Sequence, residues 1–225
     1  MSILRCDNAS LHPLWSGLNF TVSAGEFLTV IGDNGTGKTS LLAAILGSRP
    51  LSSGHITVEG RIGYIPQQRM FGPEGVVRAY DLVSLSLAHG IVRGRRASKQ
   101  AVCAALQAAD AVDFAQRRVH SLSGGQQQRI RQAQAFANKP DILLCDEPLL
   151  SLDIEHQKAT VERICRYQQE TGAAVVFVTH SVAPVLDKTD KMLLLNHENS
   201  LYGTPAAVLE KAGTPYLQWE GICHK

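Results

Sequence analysis

The sequence has no long hydrophobic run. Its longest apolar stretches, such as Ala173 to Val178 and Met192 to Leu195, fall far short of the ~20 residues that a bilayer span needs. The opening Met1-Ser2-Ile3-Leu4-Arg5-Cys6-Asp7 has none of the apolar core of a signal peptide. An excess of charge of either sign is also missing. The 22 Lys and Arg stand against 20 Asp and Glu, a balance that does not point to a nucleic-acid partner. No CxxC pair occurs, and the five cysteines (Cys6, Cys103, Cys145, Cys165 and Cys223) are odd in number. They read as reduced thiols rather than a disulfide framework. Cys223 beside His224 gives two adjacent ligands at a chain end, a poor metal site. Repeats, low-complexity linkers and sustained heptads are absent. These absences predict a soluble, cytoplasmic protein, held at a membrane only if a partner holds it there.

What is present is a composition for a packed core. Hydrophobic residues make up 44% of 225 positions, enough to fold without disulfide or metal. Short β-rich runs alternate with helical patterns. Phe27 to Ile31 reads as a buried strand, and Thr39 to Leu46 as a helix with Leu41, Leu42, Ile45 and Leu46 on one stripe and Gly47 as its stop. His55 to Glu59 and Arg61 to Ile65 read as a hairpin around Gly60. From about 76 to 137 the pattern is helical. Ile142 to Cys145, Ala174 to Val178 and Lys191 to Leu195 read as strands. Asp153 is placed to cap a helix that Gly172 ends. The alternation predicts an α/β fold with a mostly parallel sheet, a small antiparallel N-terminal layer and an inserted helical stretch.

Two stretches carry chemistry. Gly32-Asp33-Asn34-Gly35-Thr36-Gly37-Lys38-Thr39, followed by Ser40, fits GxxxxGK[ST] between a predicted strand and a predicted helix. Glycines there let backbone N–H groups turn inward around phosphates, and the helix N-terminus adds positive partial charge. Lys38 is placed to reach the β- and γ-phosphates and Thr39 to ligate Mg²⁺. The second stretch is Leu122-Ser123-Gly124-Gly125-Gln126, with helical pattern following. Ser123 reads as an N-cap, or, with the two glycines, as part of a second anion site. One nucleotide loop plus a second phosphate site far away in sequence suggests an active site shared between molecules.

With these residues in hand, the sequence resembles the ATP-binding subunit of an ATP-binding-cassette (ABC) transporter, over about Ile3 to Leu209. The loop at 32–39 resembles Walker A and Leu122 to Gln126 the family signature. Tyr64-Ile65-Pro66-Gln67 resembles the Q-loop, and Ile142 to Pro148 resembles Walker B with the catalytic glutamate. Ser151-Leu152-Asp153 resembles the D-loop and Thr179-His180 the H-switch. The resemblance implies a P-loop core over about 1–67 and 138–225 and a helical subdomain over about 70–137. It implies ATP and Mg²⁺ as ligands, with Asp146, Thr39 and Gln67 toward the metal. Glu147 would polarise the attacking water, and His180 would contact the γ-phosphate. ATP would lie between Gly32–Ser40 of one copy and Ser123–Gln126 of another, with Asp153 at the interface between them. Implied partners are a second ATP-binding subunit, an integral membrane permease and, for an importer, a solute-binding protein; the permease would hold this chain at the inner face of the cell membrane. No nucleic acid is expected. Asp146 also ends a buried strand beside the phosphate loop, and side-chain alternation along that strand turns the next residue, Glu147, elsewhere.

The sequence departs from the family in three places. No Tyr, Phe or Trp occupies Ala9 to Pro13, where an aromatic stacks on adenine in many members; His12 is placed to stack weakly, and Trp15 lies a few residues late. The usual Arg after the signature is Gln134. The D-loop has Leu152 after Ser151, with Leu150 before it. The basic run Arg93 to Lys99 reads either as a solvated loop or as a contact with a partner or anionic lipid. Met70, Phe71, Val76, Val77 and Tyr80 read either as a permease-docking groove or as core. In texture, Val83 to Gly90 and the stretch from Leu193 to Leu209 resemble the zinc, manganese and iron importers. Other importers, exporters and soluble ABC ATPases acting on nucleic acid or the ribosome are the alternatives.

Overall fold

The computed structural model describes residues 2–67, 77–87 and 97–213. In chain order the strands and helices are β1 (Ser2–Leu11), β2 (Trp15–Ser23), β3 (Phe27–Ile31), α1 (Lys38–Ile45), β4 (Ser53–Val58) and β5 (Ile62–Ile65). Then follow α2 (Ala79–Leu87), α3 (Lys99–Ala108), α4 (Gly124–Phe136), β6 (Ile142–Asp146), α5 (Ile154–Thr171), β7 (Ala174–Val178), β8 (Lys191–Leu194), β9 (Leu201–Gly203) and α6 (Pro205–Ala212). Two sheets form. One is antiparallel with order β2-β1-β4; the other has order β5-β6-β7-β3-β8-β9, parallel except for β9. The α/β class with a small antiparallel layer is therefore the observed architecture.

Strand alternation sets up two cores. On β6 and β7, Leu143, Cys145, Val175 and Phe177 face one side, where they pack with Phe27, Ile65 and the helices α2 to α5. Ile142, Leu144, Val176 and Val178 face the other, with Leu28, Val30, Leu41, Leu42 and the inner faces of β1 and β2. A strand buried on both faces reads as a continuous apolar run, and β6 and β7 do. Phe27 and Phe177 stack at 5.6 Å, and Phe136 on α4 stacks on Tyr167 of α5 at 4.3 Å and 8°. A buried polar bridge reinforces that helix pair: Arg163 Nε donates to Gln132 Oε1 at 2.8 Å.

Helix ends follow their sequence signals. Asp153 caps α5 by accepting from His156 N at 2.9 Å, and Gly172 ends it at φ 72°. Ser123 caps α4 in a reciprocal box, accepting from Gln126 N while Gln126 Oε1 accepts from Ser123 N.

The hairpin predicted around Gly60 does not form. β4 pairs antiparallel with β1 in the small sheet, while β5 pairs parallel with β6 in the large one. Gly60 is the point where the chain leaves one sheet for the other, at φ 99°. Asp141 holds the new strand by accepting from Arg61 N at 2.8 Å. A Cβ on Gly60 would meet Asp141 Cβ and Oδ2 at 2.8 Å. Gly60→Ala should therefore lower the unfolding free energy by roughly 1–3 kcal/mol, from a left-handed non-glycine residue plus a steric overlap. Urea denaturation of the purified chain measures this. An unshifted midpoint would show that the sheet-to-sheet step does not depend on this glycine.

Candidate functional site

The site assembles at the C-terminal ends of β3, β6 and β7, where open parallel sheets leave a crevice. β3 feeds directly into the glycine loop. Gly32 sits at φ 153°, and a Cβ there would lie 2.5 Å from the Leu195 carbonyl oxygen. No other residue fits between β3 and that carbonyl. Gly37, at φ 92°, starts α1 with no side-chain cap, so the first-turn N–H groups of α1 receive no bond from a capping side chain. Thr36 Oγ1 donates to Asp33 O at 2.9 Å and closes the turn.

Lys38 is buried, and its ammonium donates to Gly32 O at 2.7 Å and Asp33 O at 3.0 Å. The lysine thus lies folded over the carbonyls of its own loop. Ser40 is turned away from the loop, its hydroxyl accepting from Arg49 at 2.7 Å. Beneath Gly37 lies Trp15, 1% exposed; a Cβ on Gly37 would meet its Nε1 at 3.1 Å. Trp15, which lies a few residues past the usual adenine-stacking position, is the floor of the phosphate loop. His12 is exposed.

Asp146 ends β6 on the α1 side, as the alternation requires. Thr39 Oγ1 donates to its Oδ1 at 3.2 Å, and Tyr64 OH to its Oδ2 at 3.3 Å. Burial pushes the Asp146 carboxyl above the usual range; the bonds from Thr39 and Tyr64 and the Lys38 charge pull against it, and Glu147 adds to the rise. Tyr64 is pushed up to about 12, by burial first and then by Asp146. Sequence reading takes Tyr64 only as part of a motif string. Its direct bond to the carboxylate was readable from strand parity, since Ile62 and Tyr64 share the face of β5 that packs beside Ile142 and Leu144.

Glu147 leaves the strand by a different route from the one alternation suggests. It sits at φ 45°, its N–H donating to Val178 O at 3.0 Å, so a left-handed turn aims its side chain rather than continued pleating. Gln67 Nε2 donates to Glu147 Oε2 at 3.4 Å, and His180 Nδ1 lies 3.7 Å from the same oxygen. Thr179 fixes the His180 turn, accepting from Ser181 N at 3.0 Å. A cavity of about 30 Å³ opens beside Glu147, Thr179 and His180, room for a water or two.

The structure brings Lys38, Thr39, Asp146, Glu147, Gln67 and His180 together. It does not bring Ser123, Gly124, Gly125 and Gln126 to them: none of the described hydrogen bonds joins that turn to the glycine loop. Gln126 is folded back into the Ser123 cap. Asp153 lies near the signature turn instead, through His156, whose ring edge faces Gly125. Gln134, at the position of the family arginine, donates to Ser86 Oγ at 3.1 Å. Of the residues read as groove or core, Val77 is exposed and Tyr80 packs on the core; Met70, Phe71 and Val76 lie outside the described residues, as do Arg93 to Arg96, Cys223 and His224. Ser98 and Lys99 cap and begin α3. Among the described residues no helix is long and apolar enough to cross a membrane.

Comparison with known proteins gives a consistent set. The family pattern of the ABC transporter matches residues 15–150. The zinc import ATP-binding protein ZnuC of Jannaschia sp. (strain CCS1) is 34% identical over 214 residues, covering 92% of this chain and 85% of that protein. The spermidine/putrescine import ATP-binding protein PotA of Legionella pneumophila subsp. pneumophila (strain Philadelphia 1) is 35% identical over 208 residues, covering 88% of this chain and 57% of that one. A solved structure described as a metal-chelate type ABC transporter in an inward-facing conformation superposes with TM-score 0.86 at 30% identity, covering 97% of this chain and 88% of that one. A dimeric ATP-binding cassette bound to ADP and phosphate shares the fold, with TM-score 0.76 at 23% identity, over 89% of this chain and 98% of that one.

The buried Asp146 carboxylate has a consequence for stability. Its folded-state pKa is raised, so the ionised form costs stability at neutral pH, and the cost disappears as the pH falls and the group takes up its proton. Asp146→Asn should raise the melting temperature of the nucleotide-free chain at pH 7 by roughly 2–4 °C, the size of a 1 kcal/mol change in a chain this long. The rise should shrink under acid conditions. Calorimetry against pH checks both; a variant less stable at pH 7 would show that the Thr39 and Tyr64 bonds outweigh the burial.

Proposed function

The chain belongs to the ABC transporter family as an ATP-binding, ATP-hydrolysing subunit, and from that premise we propose that it powers an importer of a divalent metal ion or metal chelate. The observation that carries the ATPase part is the pairing of two clusters across the end of β6: Thr39 with Asp146 on one side, and Glu147 with Gln67 and His180 on the other.

The phosphates of ATP take the place of the loop carbonyls now facing Lys38. The ammonium moves from Gly32 O and Asp33 O to the β- and γ-oxygens, while the N–H groups of Gly35 to Thr39 and the α1 N-terminus close round them. Thr39 Oγ1 and the Asp146 carboxylate, 3.2 Å apart, are hard oxygen donors suited to Mg²⁺, with Gln67 as a further ligand. That ion supplies charge neutralisation at the phosphate oxygens. Tyr64 holds the second Asp146 oxygen, so the carboxylate keeps one orientation. Glu147 accepts a proton from the attacking water as general base. Gln67 and His180 flank its carboxylate, and His180 reaches toward the γ-phosphate. Catalysis here is position and electrostatics, without a covalent step.

The turn Ser123–Gln126 completes the site from a second cassette, with Asp153 beside it. The likeness to a dimeric cassette supports that two-copy reading at the level of the fold. ATP binding then closes the pair and hydrolysis reopens it, a shift between two states. A separate permease at the inner face of the membrane receives the motion, served by a solute-binding protein. Metal import rests on the relatives: the zinc importer ATPase matches over nearly the whole chain, and the polyamine importer ATPase, similar in identity, matches over about half its own length.

Glu147→Gln should lower ATP turnover by about 10²-fold or more, the usual contribution of a positioned base, and should trap a dimer at saturating ATP. Phosphate release and light scattering read the two effects. Unchanged turnover removes Glu147 from the role of base, and a monomer at saturating ATP removes the two-copy site. For the cargo, a deletion strain should fail to grow under zinc, manganese or iron chelation and recover with added metal. Loss of polyamine uptake with normal metal uptake would overturn metal import.

A further inference from the structure

We propose that His156 is a positioning residue that clamps the signature turn to the Asp153 start of α5, so that the two elements reach a partner cassette as one unit. The inference rests on the two-copy reading above. It starts from three contacts of a single residue. His156 Nδ1 lies 2.8 Å from both Asp153 oxygens. Its backbone N–H donates to Oδ1 of the same carboxylate at 2.9 Å. Its ring edge faces Gly125, where a Cβ would stand 3.2 Å from Cδ2 and 3.7 Å from Nε2.

The carboxylate is acceptor only, so Nδ1 carries the proton toward Asp153. That bond fixes the ring plane and leaves the Cδ2–Nε2 edge against Gly125. The backbone of Gly125 is ordinary helix, so no left-handed angle requires glycine there, and glycine inside a helix costs about 1 kcal/mol relative to alanine. What the missing side chain provides within this protomer is room for the imidazole. A second tie runs in parallel: Gln128 Nε2, one turn further along α4, donates to Pro148 O at 3.3 Å. The first two turns of α4 are therefore pinned to the Pro148–His156 segment at both levels. An exposed His–Asp pair on a helix is by itself worth little. Here the pair orients a ring against a different element, and the consequence lies in the geometry of that element.

The test uses the Glu147→Gln chain, with His156→Ala and His156→Asn added in turn. Asn can donate its amide to Asp153 from the position of Nδ1. Expected for His156→Ala is a rise of about 2- to 5-fold in the protein concentration at half-dimerisation with ATP, the range of an exposed ion pair, and a similar rise in His156→Asn, which keeps a donor to Asp153 but has no ring edge to set against Gly125. Binding of a fluorescent ATP analogue to the monomer's own phosphate loop should stay unchanged, as should the melting temperature. Dimerisation equal to that of the Glu147→Gln parent in both variants overturns the clamp. A parallel loss of monomer binding or melting temperature also overturns it, since the role would then be stability. If the Glu147→Gln parent itself stays monomeric, it is the two-copy reading that fails. Amide exchange at 124–127 in the monomer then reads the clamp directly: faster exchange in both variants supports it, and unchanged exchange overturns it.

Discussion

A buried carboxylate at the end of a buried strand is the constraint around which the site is built. Asp146 is 1% exposed, and burial alone would drive it toward its neutral form. What keeps it usable is the set of groups around it: the Thr39 hydroxyl, the Tyr64 phenol and the Lys38 charge. They arrive from two elements, Thr39 and Lys38 from α1 and Tyr64 from β5. The parallel order β5-β6-β7-β3 puts those elements side by side. The glycine loop, the Q-loop strand and the Walker B strand are thus held in register by one polar cluster that an apolar core could not replace without losing the site.

The next residue shows how much depends on a single backbone step. Had β6 continued by one residue, Glu147 would have pointed into the core shared with Leu143 and Cys145. Instead its N–H is held by Val178 O and its φ is positive. The carboxylate swings out to meet Gln67 and His180, each from the end of a neighbouring strand. A non-glycine residue in the left-handed region costs about 1 kcal/mol or more. That cost is met at the position where two carboxylates in succession must face opposite groups, which is where local strain tends to collect.

Much of this was legible in the sequence, and the reasons differ by feature. Glycine and cap signals act locally, so Phe27–Ile31, the Asp153–Gly172 helix limits and the Ser123 cap could be read from a few residues each. Motif spacing gave the candidate site residues as a set. The misreadings concern long-range choices. Two β runs around Gly60 look the same whether they pair with each other or with β1 and β6, because the partner strands lie some fifty or eighty positions away. Nothing local to Trp15 tells that the Gly37 turn, some twenty positions on, rests on its indole. Tyr64 and His156 carry no motif of their own. Strand parity could have offered the first, but the second depends on a contact between two helices that no local pattern records.

The hydrogen-bond map sorts the motifs into two bodies. Lys38, Thr39, Tyr64, Gln67, Asp146, Glu147 and His180 form one continuous set around the ends of the parallel strands. Ser123, Gln126, Asp153 and His156 form another, with Gly125 against the His156 ring. The two touch through the short segment from Glu147 to Asp153, where Gln128 meets Pro148 and Gln157 donates to Leu152 O at 2.9 Å, and through Arg131 of α4, which donates to Gln67 O at 3.5 Å. On the proposed reading, the first body holds the nucleotide and the second meets the nucleotide of the partner. Coupling between two sites needs a connecting element with more than one arrangement. The segment between the two bodies holds two non-glycine residues, Glu147 and Ser151, in the left-handed region, so backbone strain collects between the packed elements on either side.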